Sequence, residues 1–231
     1  DEDSSKSFTV INDGGRYVNE ATCIFYYRFN SDLLDTCSAT GGGSLSLTDI
    51  TIGNGGKMGQ GLLPDDDGYA VGSGSGISIT GAWSFEAWLK PSGDTDAGLI
   101  MCLCDSDSAG GESELSISLT FGDEMRIDYD TGAGADRYAT GTPGRPSINF
   151  DTNWAHVAIT HDGNSIDVYL NGERIEDDYG TLDIDTNPSS PNLYIGGHPD
   201  NPFSSQDFHG VMDEIRFTNY ERQAFAGGLM I

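Results

Sequence analysis

The sequence predicts an all-β fold with almost no helix, a two-sheet antiparallel β-sandwich or a barrel, on three observations. Apolar and polar residues alternate with a period of two in one segment after another, most cleanly over residues 115–121 (LSISLTF), as strands with one face on a core require. Turn residues punctuate these segments: the 231-residue chain holds 32 glycines without a collagen-like period, and Asn171-Gly172 separates two strand-like runs where a type I′ hairpin turn needs positive φ at both positions. Helical spacing is confined to residues 220–225 and lasts little more than a turn.

Taken in order, residues 1–20 are polar, acidic at their start and broken by Asp13-Gly14-Gly15. They read as an N-terminal arm, a kind of segment that docks on neighbours. The sandwich is expected over residues 21–226, with 227–231 as a C-terminal tail. Residues 23–29 (CIFYYRF) place Cys23, Phe25, Tyr27 and Phe29 on one strand face. Further on, Leu45 and Leu47 are followed by Ile50 and Ile52, a one-residue change of phase that a β-bulge would produce. Residues 83–89 direct Trp83, Phe85, Ala87 and Leu89 inward, and residues 125–129 pair back on 115–121 through Gly122-Asp123. The runs 154–160, 166–170, 193–195 and 211–217 complete roughly ten strands. In the last run Val211, Asp213, Ile215 and Phe217 fall on one face, so a carboxylate is aimed where its neighbours favour a dry core. Such a group needs a cation or several hydrogen-bond donors.

Composition limits function. With 37 acidic residues against 11 lysines and arginines, the net charge of −26 repels phosphate backbones and argues against nucleic-acid partners. The same field attracts Ca²⁺. The longest apolar run is LIMCLC, far short of the roughly 18 residues of a membrane helix, so no membrane insertion is expected. The chain starts at Asp1 without a basic-then-apolar leader, which reads as a processed or trimmed form. Cys23 and Cys37 flank a reversal and could meet across a hairpin, which would imply an oxidising compartment. Cys102 and Cys104, two apart on one strand face, are expected not to bridge easily.

WSFEAWLKP, WAHVAITHDG, the hairpin IDVYLNGERI, LYIGG and FHGVMDEIRFTN follow one another along the chain. In that order they resemble the laminin G-like, concanavalin A-like jelly-roll family, from about Cys23 to Phe225. The resemblance implies jelly-roll topology, which periodicity alone does not give. It also implies that VMDEIRFTN matches the final strand of concanavalin-like glucanases, where the equivalent aspartate holds a structural Ca²⁺ with backbone carbonyls. Asp213 is then the candidate metal ligand, with Asn30 and Asp32 after the first strand as partners, since a hard cation takes oxygen ligands. The alternative is that Asp213 accepts backbone N–H bonds or pairs with Arg28.

Two acidic loops are weaker candidates. CDSDSAGGESE fails the EF-hand pattern at Ala109 and Ser116, and Asp-Gly turn chemistry already accounts for Pro64-Asp65-Asp66-Asp67-Gly68. The loop HPDNPFSSQDFH between His198 and His209 is richer: His198, Asp200, Asn201, Phe203, Gln206 and Asp207 form the side-chain set that hydrogen-bonds sugar hydroxyls and stacks on a ring face. They are the candidate ligand-binding residues.

Glycoside hydrolysis needs two carboxylates at controlled separation. The Glu-X-Asp-X-X-Glu and Glu-X-Asp-X-Glu strand motifs of the retaining relatives are absent, and Glu124, Asp128 and Asp130, interrupted by Arg126, read as a charged strand face. With those motifs absent, the family resemblance implies a non-catalytic recognition or adhesion module, extracellular or on a cell or virion surface, with a glycan as the expected partner. A structural role in a large assembly, contacting neighbouring subunits or copies of itself through the arm, stands as the alternative, and a glycoside hydrolase as the third.

Overall fold

The computed structural model describes residues 22–30, 32–33, 37, 43–64, 68–92, 98–105, 113–120, 124–130, 135–139, 153–179, 191–199 and 207–221. Fifteen strands and no helix occur among them. The N-terminal arm, the C-terminal tail, the acidic loops at 65–67 and 106–112, and the expected helical turn beyond Glu221 lie outside the described residues.

The strands form two antiparallel sheets. The first has eight strands in the order β13 (Glu173–Tyr179), β12 (Ile166–Leu170), β11 (Ala155–His161), β6 (Trp83–Pro91), β15 (Gly210–Thr218), β4 (Gly59–Leu63) and β3 (Thr51–Gly56), with β1 (Cys23–Tyr27) also pairing with β15. The second has seven: β10 (Ala135–Ala139), β9 (Glu124–Asp130), β8 (Ser113–Thr120), β7 (Gly98–Asp105), β14 (Pro191–Ile195), β5 (Tyr69–Ser73) and β2 (Ser46–Thr48). Between the sheets lies one continuous core that includes Phe25, Tyr27, Trp83, Phe85, Leu89 and Ile117. Trp83, Phe217 and Phe25 stack in series, with successive centroids 5.5 and 5.7 Å apart.

Several local expectations are met. Asn171 (φ 52°) and Gly172 (φ 85°) make the two-residue turn between β12 and β13, and the Asn171 side-chain oxygen also accepts the His156 N–H at 2.9 Å. β8 pairs with β9 as a hairpin. The structure joins Cys23 to Cys37.

Other expectations are corrected. The phase change between Leu47 and Ile50 is no bulge: Asp49 (φ 52°) turns the chain out of β2 in one sheet and into β3 in the other. Cys23 leaves the core face, because β1 shifts register against β15 between Cys23 and Phe25, and packs instead with Tyr26 and Cys37. Cys102 and Cys104 are disulfide-bonded; a register shift at Leu103/Cys104 accompanies a Cα separation of 5.7 Å, inside the range a bridge can span. Asp128 is buried and ion-paired with Arg126 at 2.6 Å, so this part of β9 is not an exposed charged face.

Candidate functional site

β15 decides where the carboxylates go. Asp213 pairs with Trp88 and Arg216 with Glu86, so two residues, Glu214 and Ile215, oppose Ala87 alone. Glu214 takes up the extra residue with φ 56°, as in a β-bulge. The bulge falls where the far side of β15 changes partner, from β4 at Met212 to β1 at Ile215. Consequently Met212, Ile215 and Phe217 point into the core, whereas Asp213 points to the outer face and Val211 is only half-buried. The sequence pattern put all of Val211, Asp213, Ile215 and Phe217 inward; the bulge reverses the phase of the first two.

Asp213 is fully buried nonetheless. The bulge at Glu214 and the turn at Lys57 and Met58, at the tip of the β3–β4 hairpin, both leave backbone donors outside the ladder. Asp213 Oδ2 accepts the N–H of Met58 at 2.8 Å, Oδ1 accepts the N–H of Glu214 at 2.8 Å, and the N–H of Lys57 contributes as well. Asn30 Oδ1 accepts the N–H of Gln60 at 3.2 Å, closing the same hairpin tip from the other side. Asp32 is exposed. Burial pushes the Asp213 carboxyl up to about 7, against the opposing pull of the Met58 bond and with the nearby Glu214 charge adding to the rise. Among the described residues no three His, Cys, Asp or Glu side chains gather to hold an ion. Backbone N–H groups aimed at both oxygens of Asp213 suit a hydrogen-bonded carboxyl group more than a calcium ligand.

The outer face around Asp213 is a second buried layer, and it is polar. Across β1, β15, β6 and β11, one row reads Tyr26, Arg216, Glu86 and Ala158, and the next reads Asp213, Trp88 and His156. Arg216 Nη2 donates to Glu86 Oε1 at 2.6 Å, His156 Nε2 lies 3.5 Å from the other Glu86 oxygen, and Tyr26 OH donates to Glu214. Trp88 lies between the His156 ring, 5.2 Å away, and the Lys57 ammonium, 4.1 Å from its centroid. Each carboxylate here is tied to a cation, a phenol or backbone donors. None shares an open site with a second free carboxylate, as glycoside cleavage requires.

The loop singled out by sequence leaves the sandwich through a fixed neck. The N–H of Phe208 donates to Gly196 O at 2.8 Å, Gly196 N–H donates to Ile100 O at 3.2 Å, and Asp207 bridges to Leu99. His198 packs edge-on against Tyr194 with centroids 4.3 Å apart. The carboxylate of half-buried Asp207 lies against Gly197, where a Cβ would come within 2.4 Å of Oδ1. Asp200, Asn201, Phe203 and Gln206 lie outside the described residues.

Beside this neck opens a cleft of about 500 Å³, within the usual range for a small-ligand site. Ile50, Leu63, Pro64, Pro91 and Val211 give it apolar walls, and Asp49, Lys90 and His209 bring polar groups to it. Pro64 links cleft to neck, since its ring packs against Gly196. Gly210 (φ 147°) has no room for a Cβ, which would sit 2.2 Å from Lys90 O; this close approach lets His209 O accept the Ser92 N–H at 3.0 Å and holds Lys90 and His209 at adjoining strand ends. A second concavity of about 440 Å³ at β2, β5 and β14 is lined chiefly by serines and Asn192, with no charged or aromatic side chain among the described residues. Sequence reading found His209 as the end of its loop but missed Asp49 and Lys90, which come to it from distant segments.

The two-sheet jelly-roll sandwich is a lectin-like fold, with the cleft at its strand ends. The model of the concanavalin A-like lectin/glucanases superfamily, of laminin G type, matches residues 64–224, and the chain belongs to that family. No curated protein matches it in sequence. Among solved structures it is similar to domain 4 of AbnA, an extracellular arabinanase from Geobacillus stearothermophilus in complex with arabinotriose, with 18% identity, a TM-score of 0.65, and 87% of this chain and 94% of that domain covered. It also resembles a botulinum neurotoxin type C that depends on two ganglioside molecules to enter cells (13% identity, TM-score 0.61, 88% of this chain and 49% of that one). A third is a Trypanosoma rangeli sialidase in complex with 2,3-difluorosialic acid (15% identity, TM-score 0.60, 90% of this chain and 32% of that one). This chain thus spans about half of the toxin chain and a third of the sialidase.

Proposed function

We propose that the chain is a non-catalytic recognition module that binds glycans at the strand ends bounded by Asp49, Lys90 and His209, beside the loop at residues 198–209. The observation that carries this reading is the cleft itself: apolar walls beside a few polar side chains are the make-up of a small-ligand site. Carbohydrate ligands in the names of the similar structures support the same direction. The two disulfides suit an oxidising compartment, hence a secreted or surface location. The non-catalytic reading rests on the commitments of Glu86, Glu214 and Asp213 described above.

A glycan array probed with the purified chain tests the proposal. Binding that is lost on His209→Ala, with the thermal midpoint unchanged, is the expected result. An array without signal would sink the reading. Polysaccharide turnover abolished by Glu86→Gln would replace it with a hydrolase.

A further inference from the structure

Charge commitment among the described residues is uneven. Among the described residues, Arg216 is paired with Glu86, Arg126 with Asp128 and Arg174 with Asp167, at 2.6, 2.6 and 2.7 Å. Lys57 sits over the Trp88 ring, and Arg28 is engaged as well. Lys90 has no such partner among the described residues; its side chain is exposed at the cleft. In a chain with 37 acidic residues and 11 lysines and arginines, Lys90 thus brings to the cleft a cation that no acidic side chain among the described residues neutralises, open to an anionic ligand. Asp49 is the one carboxylate among the described lining residues, and it stands where hydroxyl groups could donate to it.

We propose that this cleft selects an anionic sugar, one bearing a carboxylate or a sulfate, with Lys90 as the charge contact, the His209 imidazole as a neighbouring polar contact, Asp49 accepting ring hydroxyls, and the half-buried Leu63 and Val211 side chains under the apolar face of the ring. The inference rests on the glycan-binding reading of the same cleft and adds the class of ligand. The net charge of −26 opposes an anionic ligand at long range, but salt screens charges beyond about 8 Å at physiological ionic strength, so the ammonium in the lining dominates at contact. A neutral sugar would gain no charge-assisted contact from that ammonium.

The test is titration of the intact chain, and of Lys90→Gln and Lys90→Arg, with the methyl glycosides of glucuronic acid, N-acetylneuraminic acid, galactose sulfate and galactose. The expected result is preference for the acidic glycosides over galactose, about tenfold weaker acidic binding in Lys90→Gln, retention in Lys90→Arg, and weakening as salt is raised. The carboxylate and sulfate arms identify which anion the site takes. Because Lys90 is exposed on a strand end, the thermal midpoint of Lys90→Gln should match that of the parent and separates lost binding from lost fold. Equal affinity for galactose and the acidic glycosides, or indifference to Lys90→Gln, overturns the anionic selectivity while leaving glycan recognition in place. Failure of all four glycosides together with an empty glycan array overturns both.

Discussion

Asp213→Asn offers the sharpest check on how β15 is built. In the folded chain the carboxyl titrates near 7, against an ordinary value of 3.8. Each unit corresponds to about 1.4 kcal/mol, so the shift amounts to about 4 kcal/mol. The sign follows from proton counting. Between those two values the folded chain holds a proton that the unfolded chain has released, so stability falls as pH rises and levels off above the folded value. Asp213 therefore contributes most at acidic pH, and above pH 7 the fold carries a buried charge. Asparagine keeps the shape and removes the titration, while turning its amide toward one of the two backbone donors at a cost of about 1 kcal/mol. Urea denaturation of both proteins from pH 4 to pH 8 is the assay. Subtracting the variant curve removes the shared background of the other carboxylates. The parent should lose about 4 kcal/mol relative to the variant over that range, so Asp213→Asn is less stable at pH 4 and as stable or more so at pH 8. Parallel curves would refute the argument. Repeating the series with Ca²⁺ and with a chelator decides the calcium question: a parent stabilised by Ca²⁺ at pH 8, with an Asn variant that does not respond, would make Asp213 a cation ligand after all.

Three further outcomes are expected. Arg216→Met, which leaves Glu86 buried without its cation, should destabilise the fold by about 3–5 kcal/mol in urea, whereas adding Glu86→Leu should restore most of that loss; additive losses would contradict the pairing. Gly172→Ala, at φ 85°, should lower stability by about 1 kcal/mol or more, read as a lower midpoint and faster amide exchange in the β12–β13 hairpin. Breaking Cys23–Cys37, which closes a loop with a sequence separation of 14, should remove about 3 kcal/mol, and a reductant without effect on the midpoint would show that the bond is absent.

What the sequence made legible was whatever short-range pattern determines. The turn at Asn171-Gly172 is fixed by two residues that tolerate positive φ, and the core sides of β6 and β8 are fixed by alternation. Where a strand's neighbours change, the pattern misleads. Asp213 looked inward because the period was counted straight through Glu214, and the extra residue there exists only because β15 leaves β4 for β1 at that point. No local signal records that change. The same holds for Leu47 and Ile50, whose change of phase marks passage between sheets.

The polar layer and the cleft were hidden for different reasons. Glu86, His156 and Arg216 occupy the polar phase of their strands and read as solvent-facing, since alternation distinguishes core from not-core and cannot tell an exposed outer face from a buried one. Lys90 and His209 carry no pattern of their own. They become neighbours because Val211 pairs with Lys90 and Gly210 with Pro91 at the ends of β6 and β15, with a glycine admitting the close approach. Their separation along the chain conceals the site, while the loop next to it announces itself by composition. A ligand site at strand ends is assembled by register, so its loop can be read in sequence but the strand-end cation beside it cannot. For that reason Lys90, more than any residue of the loop, is the substitution on which the anionic reading turns.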